Sequence, residues 1–255
     1  MEKIKFLHIG RTGGTTLTQI IQNNSILKKK IEILGHFQKI DEYDKIIFAI
    51  RNPITRFISA FYHRKNKVER LVNDGRSSYV PIKERAAFKH YQNISSLLSD
   101  LFSDNFCNVN KAKFALRNIM HLGKIGTYRF WFKNIKKPVK KNVFFIIKFE
   151  NYKSDLLKLL KNLRVKIKRI PHFRPSKLNK DVIVLNNELE KKLILFLEDD
   201  YIFISMLKRN KILPNSYLKK EFKFLKKKRN INLKHKDIFK NKITNYFFDI
   251  YFMLF

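Results

Sequence analysis

Two short stretches of the chain carry side chains suited to gripping an anion. In the first, Arg11 and Thr12 precede a glycine pair, Gly13-Gly14, which is followed by Thr15 and Thr16. In the second, Arg51 is followed eight residues later by Ser59. A guanidinium is a planar fork of donors that matches the oxygens of a phosphate or sulfate, and threonine hydroxyls add further donors. Glycines let backbone N–H groups approach such an anion closely, and a helix N-terminus adds partial positive charge. The chemistry is that of a phosphorylated or sulfated ligand. The plain alternative for the first stretch is a tight strand–helix turn with no ligand.

Elements that place these groups follow from the hydrophobic pattern. The apolar run Ile4 to Ile9 is one buried strand that breaks at Gly10, and Leu17, Ile20 and Ile21 form the apolar face of a helix running from Thr15 to about Asn23-Asn24. Residues 46–50 are a second buried strand with Arg51 at its C-terminal end. Pro53 suits the first turn of a helix and Asn52 its cap, which puts Ser59 two turns along and facing back toward Arg51. Ligands of open α/β sheets bind at the carboxyl ends of strands. We therefore expect a single α/β domain with a central parallel sheet flanked by helices. The pattern argues against an ordinary ATPase or GTPase, because GxxxxGK[ST] needs a lysine after its second glycine. Here the basic residue, Arg11, comes before the glycine pair. A nucleotide kinase with an aberrant loop would need magnesium and ATP.

Taken together the motifs resemble a known family. Residues 6–16 resemble the P-loop-like 5′-phosphosulfate loop of sulfotransferases that use 3′-phosphoadenylyl sulfate (PAPS), and residues 51–59 resemble their 3′-phosphate motif. The nearest branch is the carbohydrate sulfotransferases of the heparan 2-O- and 6-O-type. The resemblance covers about residues 3–207, closing on Glu198-Asp-Asp-Tyr201. It implies a PAPS site formed by Arg11, Thr12, Gly13, Gly14, Thr15, Thr16, Arg51 and Ser59, with no metal. It also implies sulfuryl transfer by in-line displacement to a hydroxyl of a carbohydrate or glycolipid. The Gly35-His36 pair matches the family's place for a general base, and a neutral imidazole is poised for that task. A surface histidine in a polar turn is the bland reading of His36. The family carries lysine where this chain has Arg11. Arginine keeps the charge and can donate to the leaving phosphate, but it cannot give up a proton at neutral pH. Glu150 is a second acid–base or structural partner, and Arg174, Ser176 and Lys177 stand where related proteins close a basic loop over the nucleotide.

The rest of the chain reads less sharply. Ser25 to Lys30 is a lysine-rich turn before a strand over 31–36, and 64–85 is polar with a loop over 73–78. Helices are expected over 86–102, 109–122 and 187–207, and a strand over 142–150 leads to a helix over 152–160 capped by Ser154 or Asp155. Residues 128–131 are either core edge or a stacking platform, and Arg56 is an ion-pair partner, solvent-exposed or part of the pocket. His8 belongs near the core, and His63 faces solvent or acceptor.

The 255 residues carry 55 Lys+Arg against 21 Asp+Glu, a formal charge of +34. An anionic co-substrate and acidic glycans call for positive surface, and a Lys/Ile/Asn/Phe-rich genome would produce the same excess without functional meaning. We divide the chain into residues 1–207 and a basic extension, 208–255, with 14 Lys/Arg against 3 Asp/Glu. The extension ends in an apolar run too short to span a bilayer, so it either lies on an anionic membrane surface or docks on the core. Cys107 is the single cysteine, and no signal peptide precedes the first strand, which together suit a cytoplasmic protein at most peripheral to membranes. Two rival readings remain: a basic nucleic-acid-binding protein, with nucleic acid the less expected partner, and a degenerate sulfotransferase that binds nucleotide without turnover.

Overall fold

The computed structural model describes residues 3–35, 40–41, 43–123, 126–132, 141–167 and 185–229. The chain divides into two units, residues 1–217 and 218–255. The first carries the sheet. In chain order its elements are β1 (Ile4–Leu7), α1 (Gly14–Gln22), α2 (Ser25–Lys30), β2 (Ile31–Leu34), β3 (Ile46–Ile50), α3 (Pro53–Asn73), α4 (Ile82–His90), α5 (Ile94–Leu101), α6 (Phe106–Asn118), α7 (Tyr128–Trp131), β4 (Val143–Lys148), α8 (Tyr152–Asn162), α9 (Asn187–Phe196) and α10 (Glu198–Arg209). In the second unit the described part is helix α11 (Lys219–Arg229). No helix among the described residues is long and apolar enough to cross a membrane.

All described strands are parallel, in the order β2-β1-β3-β4, with Leu7 opposite Leu34 on one side and Phe48 on the other. The expectation of a parallel α/β sheet flanked by helices is met. Every residue of β3 is buried, as a strand covered on both faces requires. One face packs Phe6, Ile47, Ala49 and Ile147 against Leu17 and Ile21 of α1 and Leu156 and Leu159 of α8. On the other, Phe48 meets Phe132 edge-on at 4.9 Å and Phe132 meets Phe203 at 4.6 Å.

Several local expectations are corrected. The lysine-rich stretch 25–30 is a short helix, because the Asn24 side chain accepts from the Leu27 N–H and the three closing lysines suit the carbonyl end. Helix α3 continues through residues 64–73, since Arg64 is buried against Glu84, with Nε 2.9 Å from Oε1. The stretch 86–102 is split at residues 91–93, where Asn93 caps α5, and 187–207 breaks at Leu197 into α9 and α10. Neither Ser154 nor Asp155 caps α8. Its N-cap position is Asn151, and Asp155 is buried, accepting from the Lys148 N–H at 3.0 Å and pairing with Lys148 Nζ at 3.1 Å.

Candidate active site

From β1 the chain passes to β2 on one side and then to β3 on the other, so the sheet order reverses between β1 and β3. The crevice of an open α/β sheet lies at such a reversal, beyond the carboxyl ends of the strands. Arg11 follows β1 and Arg51 follows the adjacent β3, so parallel pairing alone delivers both guanidinium groups to that place.

The loop after β1 is shaped by rings that lean on its glycines. A side chain at Gly10 would lie 2.8 Å from the imidazole of His121, one at Gly14 would overlap that of His8, and one at Gly13 would lie 2.5 Å from the ring of Tyr152. Gly13, the N-cap of α1, also has φ +91°, a left-handed conformation costly for any other residue. Tyr152 donates from its hydroxyl to the Gly13 carbonyl at 2.8 Å. Thr12 is fully buried, and its hydroxyl donates back to the Ile9 carbonyl at 2.9 Å, bracing the loop from inside. Thr15 is exposed and Thr16 half-buried in the first turn of α1. No acidic side chain stands in that turn.

Arg11 itself has φ +66°. Its side chain crosses to α3, where Nε and Nη2 donate to the buried hydroxyl of Ser59 at 3.2 and 3.0 Å. Arg51 Nη1 donates to the Arg11 carbonyl at 3.4 Å, its Nε to Thr55 Oγ1 at 3.0 Å, and its Cζ sits 4.2 Å above the ring of Phe149. Ser59 thus meets Arg11, and Arg11 links it to Arg51. Among the described residues neither guanidinium has a carboxylate within ion-pair distance. Burial lowers the pKa of Arg11, and burial together with the charge of Arg11 lowers that of Arg51 to about 10. Two desolvated cations held side by side favour an anion between them.

Behind Arg51 stands a set of side chains with no motif in the sequence. Asn52 caps α3 by accepting from the Ile54 N–H at 2.9 Å, as expected. Tyr128 is fully buried and bonded to the backbone of Arg51, and Trp131 is buried too, so these two rings belong to the core side of the site, while Arg129 between them is exposed. Arg56 is likewise buried, paired with Asp200 at 2.6 Å. Glu150 accepts from the Asn52 N–H at 2.7 Å and from the Tyr217 hydroxyl at 3.0 Å, a structural part. The signal for Arg56 and Asp200 was a charged residue set within an apolar helix face, which periodicity flags without naming the partner.

His36, Arg174, Ser176 and Lys177 lie outside the described residues. His8 is half-buried, its ring stacked on Phe6 at 6.0 Å. His63, one helical turn beyond Ser59, is exposed, and lost hydration followed by the charges of Arg11 and Arg64 pulls it down to about 4.

Among known proteins, the model of the sulfotransferase family matches residues 2–201. No curated protein and no solved structure matches the chain.

Proposed function

The chain belongs to the sulfotransferase family, and from that premise we propose that it transfers a sulfuryl group from PAPS to a hydroxyl of a carbohydrate or glycolipid. The reading is carried by one observation: Arg11 and Arg51, desolvated and without a carboxylate ion-pair partner among the described residues, stand by a glycine loop where the strand order reverses. PAPS supplies the sulfuryl group and a phosphate leaving group. Arg51 and Ser59 hold its 3′-phosphate. The amides of Gly13 and Gly14, with Thr15 and Thr16, hold the 5′-phosphosulfate, while Thr12 keeps the loop in shape. Arg11 offsets charge on the transferring sulfonate and the leaving phosphate, and His36 takes the acceptor's proton. The scheme requires no metal. The extension 208–255, with a net charge of +11, brings the enzyme to an anionic membrane surface near a glycolipid acceptor.

A second reading, nucleotide binding without turnover, is favoured by Arg11, which replaces a lysine and is held on Ser59. Calorimetry with 3′,5′-diphosphoadenosine, 5′-AMP and ATP tests both. We expect a strong preference for the diphosphate that falls by about 10- to 100-fold in Arg51→Ala, the loss of charge-assisted hydrogen bonds. Equal binding of the three nucleotides would sink the sulfotransferase mechanism. Turnover that emerges only in Arg11→Lys, with diphosphate binding unchanged, would favour the second reading.

A further inference from the structure

We propose that Tyr128 and Glu150 are positioning residues that clamp the two peptide groups around Arg51 and so aim its guanidinium at the 3′-phosphate. The inference rests on the sulfotransferase reading of Arg51. Arg51 is the first residue past the end of β3, and its backbone turns there from strand to helix. Backbone groups at such a junction need partners from elsewhere. One phenol supplies two of them. The Arg51 N–H donates to Tyr128 Oη at 2.8 Å, and the same hydroxyl donates to the Arg51 carbonyl at 2.8 Å. The peptide that begins with this carbonyl ends in the Asn52 N–H, which donates to Glu150 Oε1 at 2.7 Å. Both polar groups of the Arg51–Asn52 peptide are held, along with the N–H of the peptide before it.

The clamp is itself anchored. The Tyr128 N–H donates to Asp200 Oδ1 at 2.7 Å, and Asp200 Oδ2 accepts from Arg56 Nη2 at 2.6 Å. Arg56 also donates to the Gly126 carbonyl, its Cζ lies 4.4 Å above the Tyr128 ring, and Phe203 stacks on that ring at 5.4 Å. The ring alone would fill this space as phenylalanine. A buried hydroxyl is costly unless bonded, and both bonds of this one go to Arg51. Burial raises the Tyr128 pKa, so the phenol stays protonated at neutral pH. Fixing the backbone of Arg51 in advance removes an ordering cost that nucleotide binding would otherwise carry.

Calorimetry on the full chain with 3′,5′-diphosphoadenosine and 5′-AMP tests the clamp. Tyr128→Phe keeps the ring and removes the hydroxyl; we expect diphosphate binding to weaken about tenfold while 5′-AMP binding changes less than about twofold. A preference for the 3′-phosphate as strong as that of the wild type overturns the proposal. If Tyr128→Phe does not fold, Glu150→Ala decides. It cuts the exposed tether and should lower the same preference about threefold, and an unchanged preference there overturns the proposal equally. A general loss of stability that weakens both nucleotides alike also counts against it. A wild-type chain without 3′-phosphate preference would instead sink the reading of Arg51 on which the clamp rests.

Discussion

The loop after β1 and the turn after β3 bring guanidinium groups to one crevice, but they are held there by different means. Around Arg11 the local part is the backbone: glycines at 10, 13 and 14 leave room for the rings of His121, Tyr152 and His8, the first two brought there by the fold, and Thr12 ties the loop to Ile9. Around Arg51 the shape comes from side chains far along the chain, Tyr128, 77 residues beyond Arg51, and Glu150, 98 beyond Asn52, with Asp200 behind them. A local device can be written in one motif. A distant one needs the fold to exist first, which makes the Arg51 half of the site, with no such motif around it, the more dependent on the stability of the whole unit.

The strongest way to break this contrast is Asp200→Ala. It leaves Arg56 as a buried cation without its partner and the Tyr128 N–H without its acceptor. Removing one member of a buried pair costs about 3–5 kcal/mol, so urea unfolding should shift by that amount. A loss under about 1 kcal/mol would mean that side chains do not hold the β3 half. Gly13→Ala is the matching test of the β1 half. A residue with φ +91° and a Cβ 2.5 Å from the Tyr152 ring costs about 2 kcal/mol, which lowers Tm by roughly 4–8 °C. Tm within a degree of the wild type would show that the loop does not need its glycine.

The same contrast decides what could be read from the sequence. The strand at 46–50 and the cap and proline of α3 are legible because each is a local pattern, as is the first strand, although it ends at Leu7 and not at Ile9. The placement of Arg11 and Arg51 is legible too, since strand ends in a parallel sheet collect at one edge. Ser59 was expected to face Arg51, yet its hydroxyl takes Arg11; a helix period gives the face but not which long side chain reaches it. Tyr128 stays open between core edge and stacking platform, Arg56 between ion pair, solvent and pocket, and Asp200 has no role beyond its closing segment, because nothing at residues 56, 128 or 200 announces a partner 72 or 144 residues away. Helix α2 was missed for a different reason. Six residues are too few for propensity to outweigh the cost of nucleation, and a single Asn24 cap decides them.

The smallest effect sharpens the contrast where its halves meet. His63 sits on α3, one turn past Ser59, and feels Arg11 from the loop together with Arg64, Lys67 and Arg70 on its own helix. Its pKa, about 4 in the folded chain, lies below the ordinary value of 6.5. Between those values the unfolded chain binds more protons than the folded one, so stability rises with pH from about 4 to 6.5 and is flat above. Because the ring is exposed, screening shrinks the slope well below what the shift alone implies. His63→Gln should flatten this part of the pH–stability curve, and Arg11→Met should raise the His63 pKa seen by NMR titration. An Arg11→Met chain in which His63 titrates as in the wild type would show that the loop's charge does not reach α3, and the two halves would be electrostatically separate.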